Sequence, residues 1–136
     1  VLGIQCPTSD ALAQLELLVG VVPRDLLVVG RHEADAVERE GRLVLGFAGL
    51  TVDDVAQFVC HQSNIRIIQS AKEKLGLPDE KVYINIDRYG NTTSATLPLL
   101  LYDFEKQLKK GDNIIFAAFG GGFTWGSIYL KWAYNS

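Results

Sequence analysis

The sequence predicts an α/β domain, a mixed five-stranded sheet with helices packed on it. Short apolar runs of strand length alternate with longer amphipathic segments, in the order β, α, β, α, β, β from residue 53 onward. The runs "DLLVVG", "NIIFAAFG" and "FTWGSIYL" are apolar on both faces, the pattern of strands covered on both sides. Hydrophobic residues make up 48% of the 136 residues, enough for the core of one domain.

The elements follow in order. "VLGIQC" reads as a short strand and "PTSDALAQLELLVG" as a helix, with Thr8 or Ser9 as N-cap and Gly20 near its end. "RDLLVVG" reads as a buried strand. "HEADAVEREGRLVLGFAG" has two readings: a helix interrupted at Gly41, or a loop followed by a strand over 43–47. "TVDDVAQFVCHQ" carries a Thr–Asp–Asp helix-start signature and then a strand over 57–60. "SNIRIIQSAKEKLG" is an amphipathic helix with Ile65, Ile68 and Leu75 near one stripe and Lys72 and Lys74 off it. "LPDEKVYINID" reads as a loop and then an alternating strand. "TSATLPLLLYDFEKQLKKG" is a second helix, apolar early and charged late, with lysines placed to complement its C-terminal dipole. "DNIIFAAFG" and "FTWGSIYLKW" are two strands around three glycines.

Composition narrows the function. Net charge is −3 without a long basic run, which argues against nucleic acid as a partner. No apolar run reaches the roughly 20 residues of a membrane helix, so no membrane partner is expected. The start, "VLGIQCPTSD", does not read as a signal peptide, and Val1 falls mid-strand, as in a chain cut from something longer. Cys6 and Cys60 are the only cysteines, which fits thiols in a reducing cytoplasm better than a disulfide scaffold.

Three short places break the local rules, all at strand ends. In "CHQSN", His61 follows an apolar run and precedes a helix; it reads as a general acid or base, a hydrogen-bond donor, or a satisfied buried side chain. In "YGNTTSA", Gly90–Asn91 is a turn dipeptide, but the turn enters a helix and Asn91 offers a side-chain amide. Gly120, Gly121 and Gly122 exceed what a hairpin needs and suggest close approach of bare backbone to a ligand. An imidazole and an amide can donate to one thioester oxygen, and a glycine loop can supply backbone N–H to a second oxyanion. Acyl transfer needs both kinds of donor, together with a nucleophile.

The segments "CHQSNIRII", "DRYGNTTSATLPL" and "AFGGGFTWGSIYLKW" resemble the C-terminal half of the 3-oxoacyl-[acyl-carrier-protein] synthase III family, from about Gly49 to Ser136. The resemblance implies a thiolase-like half for the fold, with 49–136 as the C-terminal domain. Residues 1–48 form a divergent segment, read as a remnant of the nucleophile strand–helix–strand unit. It also implies a decarboxylating Claisen condensation of an acyl-CoA primer with malonyl-acyl-carrier protein. His61 and Asn91 match the catalytic histidine and asparagine, and Gly121 the oxyanion-hole glycine. Arg66 matches an arginine linked with carrier-protein docking, and Gln62 and Asn64 fall in the same motif as carrier-protein or substrate-binding candidates. No metal and no separate cofactor are implied, because the substrates bring their own CoA or phosphopantetheine.

Members of this family are more than twice as long, and their nucleophilic cysteine lies in the half not matched. Cys60 neighbours His61 on a strand, so their side chains point to opposite faces, and Cys60 reads as a small core residue. Cys6 precedes a helix and then a "LLVVG" strand, loosely as in the family's nucleophile segment, although Pro7 stands where a small residue is expected. The chain reads either as a shortened or fused protein that keeps Cys6 as nucleophile, or as a piece of a longer synthase. Two function classes follow: the condensing enzyme, and a non-catalytic thiolase-like module; a polyketide- or quinolone-type condensing enzyme is a further alternative. A homo-oligomer, or a missing N-terminal half, is expected to cover the apolar faces of the sheet.

Overall fold

The computed structural model describes residues 2–3, 17–20, 33–120 and 124–135. Five strands form one mixed sheet: β1 (Leu2–Gly3), β2 (Leu17–Gly20), β3 (Gln57–Cys60), β4 (Asn113–Gly120) and β5 (Thr124–Lys131), in the spatial order β1-β2-β5-β4-β3. Only β3 and β4 are parallel, with Cys60 opposite Ala117; the other pairs are antiparallel. The mixed five-stranded sheet with helices on it is the architecture expected, but its strands are not all the expected ones. The helix predicted over 7–20 is overturned at its end, where Leu17–Gly20 pairs with 127–130 of β5. Backbone groups of an apolar run beside an open strand edge are better satisfied in a ladder than in an isolated helical turn. The strand predicted in "KVYINI" reduces to a single bridge between Val82 and Phe58.

Helix α1 (Glu33–Ala48) runs unbroken through Gly41 and Gly46, so the strand reading of 43–47 is wrong. Its Val37, Val44 and Leu45 are buried in one cluster with Phe58, Ile68, Leu75 and Ile115. A Cβ on Gly41 would lie 3.2 Å from Phe58 Cε2, so the glycine marks where α1 presses closest to the sheet. The Thr51–Asp54 signature yields one 3-10 turn, Val52–Asp54, with the Asp54 carboxylate accepting from Thr51 N–H and Oγ1–H. Helix α2 (Ile65–Leu75) begins at Asn64 and ends on Gly76 at φ 73°, whose N–H returns to the carbonyls of Glu73 and Lys72. The short helix α3 (Ile86–Tyr89) precedes α4 (Thr96–Phe104), which carries Pro98 in its first turn, where a missing N–H costs nothing.

The sheet separates two cores. Phe58 and Cys60 of β3 belong to the side packed by α1 and α2, while Val59 joins Leu100 and Tyr83 on the side of α4. Burying a side chain such as Phe58 stabilises the fold by about 2–3 kcal/mol. Residues on both sides of position 48 thus share one core and one sheet. Among the described residues, no helix is long and apolar enough to cross a membrane.

Candidate active site

His61 is the first residue beyond β3, and its backbone N–H continues the ladder to Ala117 O at 2.9 Å. The alternation that puts Cys60 on the α1–α2 side turns the His61 ring toward the start of α4. There Nδ1 lies 2.8 Å from Oγ1 of Thr96, and the edge of Phe119 meets the ring at a centroid distance of 5.7 Å. Partial burial lowers the pKa of His61, favouring the neutral imidazole. Cys60 is fully buried and its thiol is pushed up to about 12 by desolvation, so it is a core residue and no nucleophile, as its position on the strand implies.

Asn91 lies two residues after α3, past Gly90 at φ 66° and ψ −158°, a conformation open to glycine almost alone. Its Oδ1 accepts from Thr93 N–H at 3.0 Å, and among the described residues the exposed amide nitrogen has no hydrogen-bond partner. Thr93 itself holds φ 53°, a positive value unusual for a β-branched residue. Its carbonyl accepts from Thr96 Oγ1 at 3.0 Å. A continuous chain therefore runs from the His61 ring through Thr96 and Thr93 to the Asn91 side chain, which ties the two candidate residues to one turn. Thr96 is the residue sequence reasoning missed. Its one available sign is a polar side chain opening an otherwise apolar helix, and its contact 35 residues away is invisible in the sequence.

The remaining candidates divide. Gln62 is 1% exposed and spends its amide on backbone: Nε2 donates to Cys60 O and Tyr83 O, and Oε1 accepts from Asn85 N–H. These bonds staple the end of β3 to the 83–85 segment. Asn64 is exposed, but its Oδ1 accepts from Arg66 N–H at 2.9 Å and so caps α2. Arg66 is exposed in the first turn of α2, its guanidinium without a partner among the described residues. Gly120 ends β4 opposite Thr124, whereas Gly121 and Cys6 lie outside the described residues. A second network, also missed, braces the turn before Asn91: the Asp103 carboxylate accepts from Asn85 Nδ2, Arg88 Nη1 and Tyr89 OH at 2.9, 3.0 and 3.2 Å. Among the described residues, no three His, Cys, Asp or Glu side chains gather as a metal site.

Residues 45–132 match the family described as the 3-oxoacyl-[acyl-carrier-protein (ACP)] synthase III C terminal. The chain is 58% identical over 87 residues to the β-ketoacyl-[acyl-carrier-protein] synthase III 2 of Bacteroides thetaiotaomicron, covering 64% of this chain and 26% of that protein. The synthase III of Phocaeicola vulgatus is 48% identical over 119 residues, covering 76% of this chain and 36% of the relative. Among solved structures, the synthase III of Aquifex aeolicus VF5 superimposes with a TM-score of 0.70 at 42% identity, over 72% of this chain and 32% of that one. The Thermus thermophilus enzyme gives 0.73 at 30% identity, over 85% and 45%. The chain thus spans about a quarter to a third of the curated relatives it matches. The fold is a thiolase-like half, and the chain belongs to the 3-oxoacyl-[acyl-carrier-protein] synthase III C-terminal family.

Proposed function

We propose that this chain supplies the decarboxylating half of a ketoacyl synthase III site, acting on a malonyl thioester delivered by acyl carrier protein. The observation that carries the reading is the His61–Thr96–Thr93–Asn91 chain, which gathers an imidazole and a free amide donor at one turn. The thioester carbonyl sits between them. As the C–C bond to the carboxylate breaks, carbon dioxide leaves and the electron pair becomes an enolate. Hydrogen bonds from Asn91 Nδ2 and His61 Nε2 stabilise the developing oxyanion. The enolate carbon then attacks the carbonyl of an acyl-cysteine thioester, whose C–S bond breaks to release the cysteine thiolate, or takes a proton where no acyl-cysteine is present. The backbone N–H of Gly121 serves the second oxyanion, and Arg66 meets the acidic carrier or its phosphopantetheine arm. Substrates carry the CoA or phosphopantetheine, so no separate cofactor enters. The working location is the cytoplasm, and a second copy or an N-terminal half completes the site.

The nucleophile decides between this reading and a non-catalytic module. Decarboxylation needs the two donors but no thiolate, whereas condensation needs an acyl-enzyme. Incubation with radiolabelled acetyl-CoA and malonyl-carrier protein separates the two, with protein label and released carbon dioxide measured independently. The expected result is slow carbon dioxide release that falls at least 10-fold in His61→Ala and in Asn91→Ala. Acetyl label that disappears in Cys6→Ala makes Cys6 the nucleophile; label that survives removes it. Folded protein that releases no carbon dioxide is the module.

A further inference from the structure

We infer that Asp103 is a positioning residue: its carboxylate clamps α3 to the end of α4, and through that clamp it aims the Asn91 amide. The need for a clamp comes from the segment that carries Asn91. No residue from 86 to 95 is buried, and none joins either core cluster of the described residues. Helix α3 has four residues, far below the length of about 12–15 at which a helix begins to hold itself together in water. Neither packing nor helix propensity accounts for its order.

The Asp103 side chain does. It is 8% exposed, and its carboxylate accepts from three donors of one short segment. Oδ2 takes Asn85 Nδ2 at 2.9 Å and Arg88 Nη1 at 3.0 Å, and Oδ1 takes Tyr89 OH at 3.2 Å. One donor stands just before α3 and two in its second half, so the helix is gripped at both ends. Such bonds to a carboxylate are roughly twice as strong as neutral ones. Buried Asn85 also gives its backbone N–H to Gln62 Oε1 at 3.1 Å, so the clamp is referenced to the end of β3 as well as to α4. Beyond α3 the chain has little freedom: Gly90 N–H returns to Ile86 O at 2.8 Å, and Asn91 follows directly. An amide carried on a clamped α3 keeps one direction, and an oxyanion donor is effective only where it is preorganised.

The catalytic consequence rests on the reading of Asn91 as a decarboxylation donor; the clamp does not. Asp103 touches no reacting atom in that reading and acts through Asn91. Its loss should therefore lower the rate of carbon dioxide release and leave the affinity for the carrier-borne substrate nearly unchanged.

The test begins with amide hydrogen exchange in the whole chain. Gly90 N–H reports α3, Thr93 N–H reports the Asn91 side chain that accepts from it, and Ile68 and Ala71 of α2 serve as reference. Asp103→Leu, close in size and without acceptors, should speed exchange at Gly90 and Thr93 by about 10-fold and leave α2 unchanged. Arg88→Met combined with Tyr89→Phe removes two of the three donors at exposed positions, and it tests the clamp even where Asp103→Leu does not fold. Unchanged exchange at Gly90 and Thr93 in either folded variant overturns the inference. Carbon dioxide release from malonyl-carrier protein is measured on the same proteins. Asp103→Leu should lower kcat by about 10-fold, change KM by less than about 2-fold, and cost less than about 2-fold more when added to Asn91→Ala. An undiminished loss on top of Asn91→Ala overturns the action through Asn91. Wild-type protein that releases no carbon dioxide sinks the functional reading, and exchange at Gly90 and Thr93 still decides the clamp. Release accompanied by unmoved exchange does the reverse.

Discussion

Glu40 lies in α1 with 1% of its surface exposed, its Oε2 3.5 Å from Ser127 Oγ and its Oε1 3.6 Å from an Arg39 nitrogen. Burial raises its pKa, and the neighbouring Arg39 charge and the two side-chain contacts offset only part of that. A raised carboxylate pKa means the folded state holds the proton more tightly. The associated stability is complete below the ordinary value of 4.5 and is lost as pH rises through the folded value. At neutral pH the buried charge is therefore a net cost, and Glu40→Gln, which mimics the protonated form, should stabilise the fold. The expected gain is about 1 kcal/mol, after screening and the lost Arg39 attraction are allowed for, and it should vanish below about pH 4.5. Urea melts at neutral and acid pH measure it; a variant less stable than wild type at neutral pH refutes the account. None of this is legible in "VEREG", where Glu40 reads as one more charge on a solvated helix. The same limit applies to Thr96 and Asp103, whose partners stand 35 and 14–18 residues away.

At the scale of the element, α1 contains two glycines in opposite circumstances. A Cβ on Gly46 would meet nothing within 4 Å, while one on Gly41 would stand 3.2 Å from Phe58 Cε2 and 3.5 Å from the Leu75 methyls. Intrinsic propensity favours alanine over glycine in a helix by about 1 kcal/mol, and only Gly46 is free to realise it. Gly46→Ala should raise stability by about 0.5–1 kcal/mol. Gly41→Val should lower it by about 1–3 kcal/mol, because a branched side chain must force α1 off the sheet. Chemical denaturation of both variants checks the pair, and a Gly41→Val protein as stable as wild type removes the close approach from the explanation. The "EREGRLVLGFAG" ambiguity has the same origin. Gly41 interrupts the helical pattern for a packing reason that lies in β3 and α2, and the sequence shows the interruption without the reason. By contrast, the helical pattern of α2 is legible along the chain: of its expected stripe Ile68 and Leu75 are buried, with Ala71 beside them, although Ile65, expected on the same stripe, is exposed, and Asn64, expected as a binding residue, caps the helix.

At the scale of the whole molecule, both helical layers carry exposed aromatic surface. Phe47 of α1 is 59% exposed and Tyr102 of α4 is 78% exposed, on opposite sides of the sheet. Isolated apolar side chains on a surface are ordinary, but here they accompany a chain that spans 26% and 36% of two of its relatives. The expected behaviour is concentration-dependent self-association. Sedimentation velocity over a range of concentrations measures it, and one monomeric species throughout counts against it.

What the sequence alone determined is what local chemistry dictates. Apolar runs became β3, β4 and β5, the capped amphipathic segment became α2, and three short motifs marked the site residues and the family. Tertiary structure decided wherever a residue answers to a partner far along the chain. Leu17–Gly20 is a strand because the β5 edge offers it a ladder, and beyond the Val82 bridge Tyr83 O and Asn85 N–H bond the Gln62 side chain in place of a β3 ladder. Gln62 staples β3 to the 83–85 segment because burial turns its amide onto backbone groups of Cys60, Tyr83 and Asn85. His61 acquires a defined ring orientation only because α4 brings the Thr96 hydroxyl within 2.8 Å of Nδ1. Periodicity and capping act over a few residues and can be read along the chain; hydrogen-bond satisfaction in a buried site is a property of the assembled neighbours.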